Sequence, residues 1–459
     1  MAIININNKD IKNIFKTNID KINFTGCSLD SRTIKKGNIF FAYKGKKNDG
    51  NQYIAEAKKN GAVLAIVERK NLKVKIPQIK VKNAHHSLIK LAKYSRLKSG
   101  AKIIAITGSV GKTSTKDALA HILKDEKKVF TARKSFNNIF GVPLEILNMP
   151  KNTKIGIFEL GMNHKNELTK LVEILKPQIG LILNVNYVHG GNFNDLKDIA
   201  IAKAEIINSK FPVNTIILNK DCSHFKIINE KAKKIKIENI ITHSFNKRAN
   251  LMYCNHALKN SNLAVEVILN KEKIIKYKIN SINDYLIGNT MAIIAILEAV
   301  GLNLNLIKNL KNLKLTEGRG DIIKFKKANK IIELHNHSYN SSPVSLFSSL
   351  STFLKTSNKK NLIIIGDMNE LGNKSEYYHL KVLKFLSKNK NDNHLIVGKI
   401  FYKYKDSFIS KKINFYQNIN QLNDKIFDFI ESYNRIFIKG SNSINLQKTI
   451  NFVRNKSVE

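Results

Sequence analysis

Residues 102–116, KIIAITGSVGKTSTK, constrain the fold more than any other stretch of the chain. Ile103, Ile104, Ala105 and Ile106 form a short apolar run suited to a strand buried on both faces of a parallel sheet. Gly108, Ser109, Val110, Gly111, Lys112, Thr113 and Ser114 then turn the chain into an amphipathic helix that continues through Leu119, Ile122 and Leu123. A strand, a glycine-containing turn and Gly-Lys-Thr at a helix start make a cradle for phosphate. Backbone N–H groups and the positive helix end face the anion, Lys112 adds a charge, and the Thr113 hydroxyl can hold Mg²⁺. The full motif has a glycine where Ile106 stands, so this is a shortened variant beginning at Gly108. The competing reading is an ordinary strand–turn–helix corner. Strand and helix stand on the correct sides, and a nucleoside triphosphate site is the expectation.

A chain of 459 residues is long for one core, which predicts two to four domains. The net charge of +43 invites a nucleic-acid reading. Lys is far commoner than Arg, however, and no tight basic block occurs, whereas specific phosphate recognition favours Arg forks. A solvated basic surface with no specific nucleic-acid partner is expected. The three cysteines, Cys27, Cys222 and Cys254, are far apart and form no CxxC, which fits reduced thiols. The first residues lack an apolar leader and no run reaches membrane-spanning length, so a cytoplasmic protein without membrane insertion is predicted.

Residues 1–98 read as a small α/β unit with strands at 37–42 and 61–67 and helices at 53–60 and 87–99. Before its first strand stands Asp30-Ser31-Arg32, where a hydroxyl and a guanidinium suit a diphosphate or a uracil edge, or simply make a turn with a surface ion pair. Ser99-Gly100 is the expected hinge into a central domain, 99–316. Asn137 and Asn138, before a Gly-Val-Pro turn, can offer amides to a sugar or phosphate; a plain polar loop is the alternative. A strand at 155–158 delivers Glu159 at its carboxyl end, where open parallel sheets bind ligands, well placed to hold Mg²⁺. A further strand at 179–185 leads to His189, which is either structural or a ligand. Lys203 lies on a helix among small and apolar neighbours; it is either a surface lysine or a buried one near metal ions. Residues 223–280 read as β structure at the domain edge, and a helix at 289–300 precedes the turn Glu317-Gly318-Arg319-Gly320.

TGSVGKTS, FNNIFGVP, FELGMNH, the strand to His189, and IAKAEI follow one another in an order that resembles the Mur ligase family, ADP-forming amide ligases of cell-wall precursor synthesis. The resemblance implies three α/β domains: a small N-terminal one, a central P-loop parallel-sheet ATPase, and a C-terminal Rossmann-like domain, 317–459. It implies ATP and Mg²⁺ as cofactors, with Thr113, Glu159, His189 and Lys203 on the metal side and Lys203 carbamylated. Lys112, Lys203 and His189 would serve catalysis, and Gly108 to Ser114 with Asn289 and Arg319 would hold the nucleotide. Ser31, Arg32, Asn137, Asn138, Tyr339 and Asn340 would contact substrate. His337-Ser338-Tyr339-Asn340-Ser341-Ser342-Pro343 and Gly366-Asp367-Met368-Asn369-Glu370-Leu371-Gly372 are similar to the branch that joins D-alanyl-D-alanine to UDP-N-acetylmuramoyl tripeptide. Those two substrates and a monomeric enzyme are what the resemblance implies.

Three positions depart from that branch. Gly288 stands in place of a His near the adenine, Asn336-His337 in place of an Asp pair, and Ser342 within the Ser-Tyr-Asn motif. The expectation is weakened ATP contact at the ribose, restored by Asp at 336 and 337. Two other readings stay open: an amide ligase of the same family with a different acceptor, and a weakly active or non-catalytic basic nucleotide-binding protein.

Overall fold

A computed structural model of the chain describes residues 4–455 other than 18, 20–21, 46–47, 127, 134, 188–190, 260–261, 328–329, 357–359, 390 and 411. Three sheets organise those residues into three α/β domains. The N-terminal sheet is four parallel strands in the order β1 (Gly26–Ser28), β2 (Asn38–Ala42), β3 (Ala62–Val67), β4 (Gln78–Lys80). Strands β2 and β3 match the apolar runs read from sequence. The helix Ala84–Lys98 follows. It packs against the helices Gly141–Asn148 and Glu167–Leu175 of the central domain, so it serves as a joint. Arg96 fixes that joint. Its Nε donates to the Leu175 carbonyl at 2.6 Å and its Nη2 to Lys176 at 3.0 Å, supplying donors to carbonyls left open at a helix end.

The central sheet holds β5 (Lys102–Thr107), β6 (Val129–Thr131), β7 (Ile155–Glu159), β8 (Ile179–Ile182), β9 (Thr215–Asn219), β10 (Asn239–Ser244), β11 (Leu251–Lys259), β12 (Asn262–Leu269) and β13 (Lys273–Ile279). Its order is β13-β12-β11-β10-β9-β8-β5-β7-β6, parallel from β6 to β11 and antiparallel through the last two strands. Ile103, Ile104, Ala105 and Ile106 are wholly buried because β5 lies between β7 and β8, with helices on both faces. The chain passes to β7 on one side of β5 and to β8 on the other. Strand order therefore reverses at β5, which opens a crevice at its carboxyl end. The helix Leu286–Val300 is apolar on nearly every side and fills one face of the sheet beside the helix Lys112–Ile122.

Residues 223–280 are not all β structure. The helix Phe225–Lys234 comes first, and β10 to β13 follow. Ile228 and Ala232 are buried and Phe225 and Ile235 pack beside them, a helical period that the Lys- and Asn-rich composition of the segment obscured.

The C-terminal sheet contains β14 (Asp321–Lys327), β15 (Lys330–His337), β16 (Leu362–Gly366), β17 (Asn393–Val397), β18 (Ile413–Tyr416) and β19 (Arg435–Lys439). Its order is β14-β15-β19-β16-β17-β18, parallel except for the β14–β15 hairpin. The carboxyl ends of β15, β16 and β19 open towards the P-loop.

Candidate functional site

A cleft of about 440 Å³ lies between the central and C-terminal domains. Ser109 to Ser114, Glu159 and Asn289 line one wall; Arg319, His337, Tyr339 to Ser342, Asn369 to Leu371 and Lys439 line the other. The P-loop turns there because Gly111 has φ +88° and no room for a side chain: an added Cβ would stand 2.9 Å from Asn289 Oδ1. Asn184, just past β8, braces the turn. Its Oδ1 accepts the Val110 N–H at 3.0 Å and its Nδ2 donates to the Val110 carbonyl at 3.0 Å. The Ser109 N–H also goes to the Asn184 carbonyl. The helix Lys112–Ile122 begins right after Gly111, so Gly111, Lys112, Thr113 and Ser114 supply the N–H groups a helix start leaves without intrahelical partners.

Lys112 folds back on this loop, with Nζ donating to the Gly108 carbonyl at 2.7 Å. Burial lowers its pKa, against the attraction of Glu159. Glu159 sits at the end of β7 and is buried. Its Oε1 accepts from Asn137 Nδ2 at 2.8 Å, while its Oε2 is buried with no partner among the described residues. A buried carboxylate oxygen without a donor, on the same wall as the Thr113 hydroxyl, fits a hard divalent cation. Among the described residues no three His, Cys, Asp or Glu side chains converge. The remaining positions around such an ion would fall to water and phosphate oxygens, the usual arrangement for Mg²⁺. His189 lies outside the described residues.

Lys203 ends the helix Leu196–Lys203 and is only 2% exposed, which excludes the surface-lysine reading. Burial, and then the nearby Lys112, push its pKa well below the ordinary lysine value. Arg319 crosses from the other wall. Its Nη2 donates to Thr113 Oγ1 at 3.1 Å, and its guanidinium lies 3.9 Å from the centre of the Tyr339 ring. The Tyr339 hydroxyl in turn meets Ser135 Oγ at 3.1 Å, a second bond between the walls.

Other expected residues take different places. Asn138 does not line the cleft; its Oδ1 accepts the N–H groups of Phe140 and Gly141, the polar-loop alternative. Asn340 lines the cleft, with Oδ1 taken by the Ser341 N–H and its carbonyl by Lys439. Ser31 and Arg32 belong to the N-terminal domain and are absent from the cleft walls. Ser31 Oγ donates to Glu56 at 2.6 Å, and exposed Arg32 forks onto Asp30 at 2.9 and 2.7 Å.

The departures also acquire places. The space beside Gly288 is taken by Phe245, whose ring edge is 3.3 Å from where a Cβ would be. Ser342 is the N-cap of the helix Pro343–Lys355, in a reciprocal box with Ser345. His337 lines the cleft, but Asn336 does not. Asn336 is wholly buried, donating to Asp321 at 3.3 Å and accepting from the Ser338 N–H and hydroxyl at 3.1 and 2.7 Å. Neighbouring residues of a strand point to opposite faces, so a ribose contact from both 336 and 337 is corrected to one from 337 at most. Sequence reasoning missed Asn184 and Tyr285, and gave no role of their own to Ser341, which lies in the motif at 337–343, or to Lys439. Of these only Lys439, a charge ending an apolar run, left a local signal.

The chain matches two family models, "Mur ligase middle domain" over residues 106–297 and "Mur ligase family, catalytic domain" over residues 23–96. A UDP-N-acetylmuramoyl-tripeptide–D-alanyl-D-alanine ligase of Rickettsia prowazekii is 33% identical, over 94% of this chain and 96% of that protein. The protein of the same name from Buchnera aphidicola subsp. Baizongia pistaciae is 31% identical over 88% and 86%. In fold, the chain is similar to a crystal structure of MurF from Acinetobacter baumannii, with a TM-score of 0.85, 24% identity and 98% of each chain covered. It is also similar to the MurF ligase of Thermotoga maritima in complex with ADP, with a TM-score of 0.77, 23% identity, and 94% of this chain and 97% of that one covered. A phosphate-binding crevice spanned by Arg319, in a three-domain chain alike over nearly its full length, means that the chain belongs to the Mur ligase family.

Proposed function

We propose that the chain is an ATP-dependent, ADP-forming ligase that joins D-alanyl-D-alanine to UDP-N-acetylmuramoyl tripeptide in peptidoglycan precursor synthesis. The observation that carries this reading is full-length likeness to ligases so named, in a chain whose P-loop and C-terminal domain face one cleft. The tripeptide's terminal carboxylate attacks the γ-phosphorus, which yields an acyl phosphate and ADP. The amine of the dipeptide then attacks the activated carbonyl and phosphate leaves.

Lys112 and the amides of the helix start stabilise negative charge on the transferring phosphoryl group. Mg²⁺, when bound, screens the mutually repelling anions; Glu159 and Thr113 would hold it, with His189 and a carbamylated Lys203 as the family's further contributors. Arg319 and Asn289 would contact the nucleotide, and Asn137 orients Glu159. Ser31 and Arg32 would hold the nucleotide-sugar end of the UDP-N-acetylmuramoyl tripeptide, with Tyr339 and Asn340 on the amine side. Closure of the two walls on the substrates would exclude water, which otherwise hydrolyses the acyl phosphate. Among the described residues no helix is long and apolar enough to cross a membrane. We take the enzyme to act as a cytoplasmic monomer, with domain divisions near residues 98 and 316.

The test is ADP release by the chain with ATP and UDP-N-acetylmuramoyl tripeptide, with and without D-alanyl-D-alanine, and mass analysis of the product. Release that depends on the dipeptide and yields the pentapeptide supports the reading. Release with another amine instead would make the chain a ligase of different acceptor.

A further inference from the structure

Side chains bond the central domain to the C-terminal domain at several places, and these bonds are not alike. Arg319 to Thr113 and Tyr339 to Ser135 are made by residues that line the cleft, where substrates would claim them. Thr352 Oγ1 donates to Asp284 Oδ1 at 2.6 Å. Asp284 stands between Asn283 and Tyr285, whose side chains donate to the carbonyls of Gly320 and Arg319, so that bond belongs to the connection between the domains. The bond from Tyr187 is of another kind. Its hydroxyl donates to Asn373 Oδ1 at 3.1 Å, and neither residue lines the cleft. Tyr187 is 7% exposed, and its ring lies 6.1 Å from that of Tyr378 on the helix Ser375–Lys388. Val185 and Tyr187 of the central domain share one apolar cluster with Met368 and Leu371 of the C-terminal domain, a seam that both domains build.

Each end of this bond is tied to a wall of the cleft. On the central side Tyr187 follows the tail of β8, where Asn184 braces Val110. There the Ser109 hydroxyl donates to the Asn186 carbonyl and accepts the Asn186 N–H, each at 2.8 Å. On the C-terminal side Asn373 sits in the single turn Gly372–Lys374, directly after Asn369, Glu370 and Leu371 of the cleft wall. The Lys374 N–H donates back to the Leu371 carbonyl. One hydroxyl therefore connects the segment that braces the P-loop to the segment that forms the facing wall.

We propose that Tyr187 is a positioning residue that latches the cleft shut, its hydroxyl bond to Asn373 holding the C-terminal wall against the P-loop wall between phosphoryl transfer and amine attack. Tyr187 touches no reacting atom. This assignment rests on the ligase reading above and adds to it which contact keeps the walls together. When the walls part early, water adds to the acyl carbon and the bond to the phosphate oxygen breaks. Carboxylate and inorganic phosphate result, a proton goes to solvent, and no amide forms. A lost latch therefore shows itself as a gain, in phosphate released when no amine is present. A residue needed only for folding would lower both rates together.

The test measures phosphate release with ATP and tripeptide alone, and amide formation once D-alanyl-D-alanine is added, for the wild type, Tyr187→Phe, Asn373→Ala and Asn373→Asp. Tyr187→Phe keeps the ring and removes one hydrogen bond. Its phosphate release without dipeptide should rise about 2–10-fold while amide formation does not rise. Asn373→Ala should do the same, and the two substitutions together should do no more than either alone. Asn373→Asp, which keeps an acceptor, should match the wild type. Amide hydrogen exchange with ATP present gives a readout independent of turnover: peptides covering 183–187 and 372–378 should exchange about 2–10-fold faster in Tyr187→Phe. Unchanged exchange overturns the proposal. So does a fall in both rates together with a lowered melting temperature, or an Asn373→Ala variant that behaves as wild type. A wild type that forms no amide with tripeptide and dipeptide together overturns the ligase reading instead, and the exchange measurement then decides the latch by itself.

Discussion

Asn336 Nδ2 lies 3.3 Å from Asp321 Oδ2, directly across the antiparallel pairing of β14 and β15. Asp321 also accepts the Gly318 N–H at 2.6 Å, so this carboxylate fixes the turn that carries Arg319 into the cleft. An acid at 336 would set two carboxylates face to face in a buried site, where burial already raises the pKa of Asp321. Asn336→Asp is therefore expected to destabilise the chain by about 2–3 kcal/mol at neutral pH, without lowering KM for ATP. Urea unfolding and a KM measurement decide it. An unchanged stability with a lower KM would show that residue 336 does reach the nucleotide.

Lys112→Ala removes the ammonium that, in the proposed mechanism, stabilises the transferring phosphoryl group. A lost electrostatic clamp of this kind costs about 3–4 kcal/mol, so ADP release should fall about 100–1,000-fold. The melting temperature should hardly move, since the side chain makes its strong bond only to its own loop at Gly108. Turnover within about tenfold of wild type contradicts the assignment.

Lys203 is buried, and its lowered pKa favours the neutral amine, the form that adds CO₂ and releases a proton to become an anionic carbamate. Lys203→Ala should lose most activity, and added formate or acetate should restore part of it as a replacement anion. A fully active alanine variant would make Lys203 a packing residue. Carbon-13 NMR with labelled bicarbonate provides a signal that does not depend on turnover.

Acid should unfold this protein early. His243, His335 and His394 are buried, and burial pulls each pKa from 6.5 to about 4. The unfolded chain binds their protons first, so the stability they contribute is whole above pH 6.5 and is lost as pH falls towards 4. Each adds a slope of about 1.4 kcal/mol per pH unit within that window. Urea unfolding at pH 7.5, 6 and 5 should show the fall, and His394→Leu should make it shallower by one such slope. A slope unaffected by that substitution rules out His394 as a contributor.

The phosphate site was readable because its parts lie close together in sequence: β5, the turn and the helix occupy residues 102–122. Glu159 was readable because an apolar strand ending in a carboxylate puts that carboxylate at a sheet edge. Lys203 was ambiguous, since its burial depends on neighbours that sequence order does not reveal. Asn336 shows the opposite failure. The period of two that separates it from His337 was present in the sequence, but the pair was treated as one unit. Lys439 reaches the Asn340 carbonyl only because β19 inserts beside β15, about a hundred residues away.

The hydrogen bond from Arg319 to Thr113 makes nucleotide binding an exchange instead of an addition. On the proposed role of Thr113, a cation entering with its nucleotide would compete for a hydroxyl that a guanidinium already contacts, and Arg319 would turn to acceptors among the arriving oxygens. Measured affinity is then the difference between two sets of contacts and understates the strength of either. A variant that loses Arg319 can hold nucleotide as well as the wild type and still turn over slowly, because what it lacks is a partner for the charge that develops later. For this site, tightness and speed are separate quantities.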